Sequence, residues 1–181
     1  MAAGEVTRVV HRCEQANEDG KLDLSRCLLT SFPDAVFHLT KQATVESCDL
    51  SHNELKKLTP KFAKQFTLLT VLNLSANKLE SLPESLDQLT SLLKLDASNN
   101  CLRVFPASVV SNLPKLQELN LQNNRISDVD SQSLVSASGN SLVDVNLEMN
   151  PLSHETRVIL QNVPDVKIKV SEPEDDYNNV D

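Results

Sequence analysis

Aliphatic residues recur along this chain in a fixed eleven-residue phrase, with leucine or a substitute at positions 1, 4, 6 and 11 and an asparagine at position 9. The clearest copies are LTVLNLSANKL (Leu69 to Leu79), LLKLDASNNCL (Leu92 to Leu102) and LQELNLQNNRI (Leu116 to Ile126). VESCDLSHNEL (Val45 to Leu55) and LVDVNLEMNPL (Leu142 to Leu152) keep the pattern, and LDLSRCLL (Leu22 to Leu29) is a truncated first copy. The asparagine position holds Cys27, Asn53, Asn77, Asn100, Asn124 and Asn150, at spacings of 26, 24, 23, 24 and 26 residues. A period of this length marks a stack of like units, each burying its apolar face against the next.

Within each copy the triplet of leucine, variable residue and leucine predicts a short strand, with Leu72 and Leu74 inward and Asn73 outward. Successive strands then pair as a parallel sheet. Beyond the strand the chain must turn through an interior without water, where its amides and carbonyls need partners. Asparagine can accept from an amide and donate to a carbonyl of the adjacent coil. The column Asn53, Asn77, Asn100, Asn124 and Asn150 therefore predicts an internal hydrogen-bonding ladder rather than reactive groups. Leaving a buried polar group unpaired costs about 1–3 kcal/mol, so Asn77→Leu and Asn100→Leu are expected to be the most harmful changes outside the leucines. Behind the turns, Val36 and Leu39, Phe62 and Phe66, Leu86 and Leu89, and Val109 and Leu113 fall three or four apart, followed by Leu134. That spacing predicts short helical or 3-10 segments on the outer face.

The open ends of such a stack need covers. Val6, Val9, Val10 and Cys13 form one apolar helical stripe at the front. At the back, Ser153 is an N-cap candidate, Val158, Ile159 and Val163 are candidates for burial, and VKIKV could add a last strand. The implied organisation is a capping helix over 1–20, six repeats over 21–152, a C-terminal cap over 153–170 and a disordered acidic tail over 171–181.

These phrases resemble the leucine-rich repeat family over roughly residues 20 to 160. Phe32-Pro33, Leu82-Pro83 and Phe105-Pro106, five and six residues past the asparagine position, are similar to the family's short cytoplasmic repeat subclass; copies two and five carry Leu58-Thr59 and Val129-Asp130 instead. The resemblance implies an α/β fold: a right-handed solenoid forming a short arc, with a parallel concave sheet, an N-terminal capping helix and a C-terminal helical cap.

Composition narrows the chemistry. Of the 181 residues 40% are apolar and 3% aromatic, with no tryptophan, so the core is expected to be largely aliphatic. Five of the eight net negative charges fall in SEPEDDYNNVD at the C-terminus, leaving about −3 on the rest. No apolar run approaches the roughly 18 residues of a membrane span, and no secretory layout opens the chain. The expected setting is cytoplasmic, with the nucleus as the alternative. The four cysteines, Cys13, Cys27, Cys48 and Cys101, lack C-x-x-C spacing and share no sequence context, which argues against a disulfide framework or a zinc site. Cys48, Asp49 and His52 are the one close mixed cluster, but strand phase sends Cys48 inward and the other two outward. No catalytic residue, metal ligand or cofactor is expected, and three glycines leave no phosphate loop.

A function is expected on the concave rows. One column is wholly acid or amide: Asp23, Asp49, Asn73, Asp96, Asn120 and Asn146. A second polar column follows two residues on: Ser25, Ser51, Ser75, Ser98, Gln122 and Glu148. Both are also explained as solvated strand faces. Val71, Leu93 and Val143 break the polar pattern, with Lys94 beside them, and are candidate contact points. Acids (Asp23, Glu46, Asp49, Asp96, Glu118, Asp144, Glu148) outnumber bases (Lys21, Arg26, Lys94), which disfavours nucleic acid. The expected function is a monomeric, non-catalytic scaffold or adaptor in signal transduction that binds a protein or peptide. Its contacts are expected through Asp23, Asp49, Val71, Asn73, Leu93, Lys94, Asp96, Asn120 and Asn146. The alternative is an acidic nuclear or chaperone-like protein that binds basic partners.

Overall fold

The computed structural model describes residues 3–130, 132, 134–135 and 141–171. Seven strands form one parallel sheet in sequence order: β1 (Lys21–Asp23), β2 (Ser47–Asp49), β3 (Val71–Asn73), β4 (Lys94–Asp96), β5 (Glu118–Asn120), β6 (Asp144–Asn146) and β7 (Lys167–Lys169). The register aligns Leu22, Cys48, Leu72, Leu95, Leu119, Val145 and Ile168 in one file. The first six are buried because the central residue of each strand points inward. Each fully buried aliphatic side chain contributes about 1.5–3 kcal/mol, so a core made of many like layers carries the fold.

The chain returns along the outer face through α2 (Asp34–Leu39), α3 (Pro60–Gln65), the 3-10 helix Glu84–Gln88 and α4 (Ala107–Ser111). These segments are short because one or two turns span the width of a coil. Val36, Phe62, Phe66, Leu86, Leu89, Val109, Leu113 and Leu134 are buried, but Leu39 is exposed and Phe37 takes the inward place. Phe32, Phe37, Phe62 and Phe66 pack together, with ring centroids 4.9–6.1 Å apart, so the few aromatics are concentrated under the first two coils.

The N-terminal cover is α1 (Ala3–Asp19). Its buried stripe is Val9, Cys13 and Ala16, whereas Val6 is exposed and Val10 only half-buried. The stripe lies one turn nearer the C-terminus of the helix because only that half overlies the first coil. Gly20 ends the helix at φ +71°, and a Cβ there would stand 2.8 Å from the Thr44 carbonyl oxygen. Arg12 completes the cover: Nη1 donates to the Ser25 carbonyl at 2.6 Å, lies 3.2 Å from Asp23 Oδ1 and 3.5 Å from Cys27 Sγ. It supplies a donor that a preceding coil would otherwise provide.

At the other end α5 (His154–Leu160) starts at Ser153, whose Oγ accepts from the Thr156 amide at 3.2 Å. Thr156, Leu160 and Val163 are buried, while Val158 is exposed and Ile159 half-buried. The chain then returns as β7, so the sheet has one strand more than the six sequence copies. Residues 172–181 of the acidic tail lie outside the described residues.

Candidate functional site

The asparagines stand in one file, each no more than 8% exposed. Asn53 Oδ1 accepts from the Cys27 and Leu29 amides at 3.0 and 2.9 Å, while Nδ2 donates to the Leu24 and Leu50 carbonyls at 2.8 and 2.9 Å. Asn77, Asn100, Asn124 and Asn150 repeat the arrangement, with Oδ1 accepting from Leu55, Leu79, Leu102 and Ile126. Nδ2 of each bridges a carbonyl of its own coil and one of the coil before. The ladder is thus spent on structure and presents nothing to a ligand.

Asp23, Asp49, Asn73, Asp96, Asn120 and Asn146 occupy the last residue of six adjacent strands and face outward. Each Oδ1 accepts from the backbone amide two residues on, at 2.7–3.1 Å, closing the turn off the strand. Composition alone does not reveal this second structural task, although the restriction to Asp and Asn is its signature. The turn also folds the next polar column partly away from solvent: Ser51 and Ser98 are buried, which corrects their assignment to an open concave row, while Ser25, Ser75, Gln122 and Glu148 remain half-buried.

Val71, Asn73, Lys94 and Asp96 line an open groove of about 400 Å³ with Glu118, Asn120, Asp144, Asn146 and Lys169. Asn120 and Asn146 carry its polar floor. Asp23 and Asp49 lie toward the β1 side, and Asp23 is held by Arg12. Leu93 is half-buried and Val143 exposed beside the sheet. Two ion pairs cross neighbouring strands in the groove: Lys94 Nζ stands 2.6 Å from Glu118 Oε1, and Lys169 Nζ 2.9 Å from Asp144 Oδ1. The acidic excess counted from sequence is therefore reduced, because Lys167 and Lys169 join the face with β7. VKIKV, expected as a last strand, carries no repeat phrase, so its register beside β6 and the place of these lysines on the face come from the structure.

Cys13, Cys27 and Cys48 are buried free thiols, and Cys101 is half-buried. Burial pushes the Cys13 thiol from 9.0 up to about 11 and raises Cys27 and Cys48, so none of the three is an activated nucleophile. Asp49 is half-buried and His52 exposed, on the far side of the backbone from Cys48. Among the described residues, no group of three or more His, Cys, Asp or Glu is placed to hold a metal ion. No helix among them is long and apolar enough to cross a membrane.

The family described as Leucine rich repeat matches residues 43–102, and that described as Leucine Rich repeats (2 copies) matches residues 90–136. Together they cover more than half of the sequence. The chain belongs to the leucine-rich repeat family. Leucine-rich repeat-containing protein 20 of Homo sapiens is 37% identical over 91 residues, 48% of this chain and 50% of that protein. Geranylgeranyl transferase type-2 subunit alpha of Homo sapiens is 38% identical over 120 residues, 66% of this chain and 20% of that protein. The chain thus spans a fifth of one relative and half of the other. The match to the transferase subunit lies in leucine-rich repeat sequence and brings no catalytic part. A leucine-rich repeat protein of Leptospira interrogans superposes with a TM-score of 0.63 at 23% identity, over 87% of this chain and 46% of that one. The functional domain of InlJ from Listeria monocytogenes gives 0.56 at 24% identity, over 74% and 26%. These two likenesses concern the fold. A leucine-rich repeat solenoid of this kind supports a protein–protein interaction module.

Proposed function

We propose that the chain is a monomeric, non-catalytic scaffold or adaptor whose concave sheet binds a protein or peptide, acting in signal transduction within the cytoplasm. The observation that carries this reading is the groove. It is open, it lies on a parallel sheet, and it sets Val71 beside two ion pairs, Lys94 with Glu118 and Lys169 with Asp144, and beside Asp96, unpaired among the described residues. Rigid walls lower the ordering cost of binding, and an apolar contact framed by fixed charges gives register. Aromatic anchors are missing from the groove lining, so affinity is expected to be modest. Nucleic acid is disfavoured, because Lys94 and Lys169 are engaged with carboxylates and are not free to neutralise phosphates.

Proximity labelling followed by pull-down with Asp49→Lys plus Asp96→Lys tests the reading. Partners captured by the wild type should be lost on this concave change and retained on Glu84→Lys on the outer face. Retention of every partner on the concave change refutes the concave assignment.

A further inference from the structure

The deepest asymmetry on the concave face is in which charges are answered. Lys94 and Lys169 each have a carboxylate within ion-pair distance, and Asp23 has Arg12. Asp49 and Asp96 have no cation in that range among the described residues. Their side-chain neighbours are amides: Asn73 Nδ2 donates to Asp49 Oδ2 at 3.3 Å and Asn120 Nδ2 to Asp96 Oδ2 at 3.1 Å. Backbone amides of Ser51 and Ser98 hold the other oxygens at 2.7 and 2.8 Å. Each carboxylate is thereby fixed in orientation, while each oxygen keeps a second acceptor site. The two stand on β2 and β4, two strand spacings or about 10 Å apart, with the half-buried Asn73 on β3 directly between them and the half-buried Val71 two residues earlier on the same strand, between Ser47 and Lys94.

We infer that this face takes a peptide segment carrying lysine or arginine, with the aliphatic stem of the side chain laid on Val71 and its charged head shared with Asp49 or Asp96. This deepens the concave reading and rests on it. The complementarity is of both kinds that a long basic side chain offers: an apolar stem and a terminal cation. An acidic segment would meet two oriented carboxylates and no free base among these strands. A neutral one would leave both charges unanswered and partly desolvated.

The test uses the full chain and a displayed library of random dodecapeptides, with recovered peptides measured by fluorescence anisotropy. The variant Asp49→Asn plus Asp96→Asn removes the charge but preserves the turn-closing hydrogen bond, since Asn73, Asn120 and Asn146 already make that bond in their own coils. Peptides should be enriched in Lys and Arg, bind roughly three- to tenfold more weakly to the double variant, and be unaffected by Glu84→Gln. Peptides without basic enrichment that tolerate the double variant but are lost on Val71→Glu overturn this inference and leave the concave reading standing. Peptides indifferent to both changes, or no recovery above background, overturn both.

Discussion

Replacing Asn53 by leucine should destabilise the protein more than the same change at Asn77, although the two residues occupy equivalent places in the sequence phrase. The difference comes from how the ladder shares its carbonyls. Asn77→Leu removes donors from Leu50 and Leu74, but Asn53 still reaches the first and Asn100 the second. Ser75 keeps the His52 amide. The group left without a partner among the described residues is the Leu55 amide, at a cost of about 1–3 kcal/mol. At the first rung no earlier asparagine stands in reserve, because Cys27 holds that position. Asn53→Leu strands the Cys27 amide, the Leu29 amide and the Leu24 carbonyl together. Three buried groups, partly relieved by local adjustment, give about 3–6 kcal/mol. With no tryptophan and a single tyrosine, urea unfolding is best followed by far-ultraviolet circular dichroism. Equal m-values with a larger fall in midpoint for Asn53→Leu support the sharing argument. A larger fall for Asn77→Leu, or equal falls, refutes it. The expectation that Asn77 and Asn100 are the most sensitive rungs thus yields to an end effect.

Three further outcomes follow from the geometry. Thr59 takes the place of Pro33 and Pro83 at the start of an outer segment, with φ −76° and ψ 145° and a buried hydroxyl that has no partner among the described residues, so Thr59→Pro should raise stability by about 0.5–1 kcal/mol, read as a higher melting temperature; a lower one refutes it. Ala76 shares its left-handed conformation (φ 53°) with Asn99 and Asn123, whose amides meet at 2.8 Å, so Ala76→Asn should add about 0.5–1 kcal/mol, seen as a higher urea midpoint; an unchanged midpoint counts against it. Because the Cys13 thiol is raised from 9.0 to about 11, the unfolded chain releases a proton that the folded chain keeps, so stability present below pH 9.0 is lost as pH rises toward about 11. The urea midpoint should fall across that window, less steeply in Cys13→Ala, and a wild-type midpoint that holds constant overturns the assignment.

What the sequence determined by itself was everything that repeats. The phrase period placed six of the seven strands, the inward file from Leu22 to Val145 and the asparagine column, because contacts between neighbouring coils join residues about one period apart and so are written at each copy. The chemistry of the turn-closing Asp and Asn residues was also visible there, though not its purpose. Tertiary structure alone decided what happens where the pattern stops or where neighbours differ. The overlap of α1 with the first coil exposes Val6 and buries Ala16, and Arg12 answers a carbonyl that no earlier coil can reach. The last strand brings Lys169 to Asp144, across 25 residues with no phrase to align them. Which charges are answered on the concave face depends on lateral neighbours from different coils, and a one-dimensional period carries no record of which side chains those will be. Asp49 and Asp96 read like any other acid in the sequence, and only the register of the sheet leaves them facing amides while Lys94 and Lys169 find carboxylates.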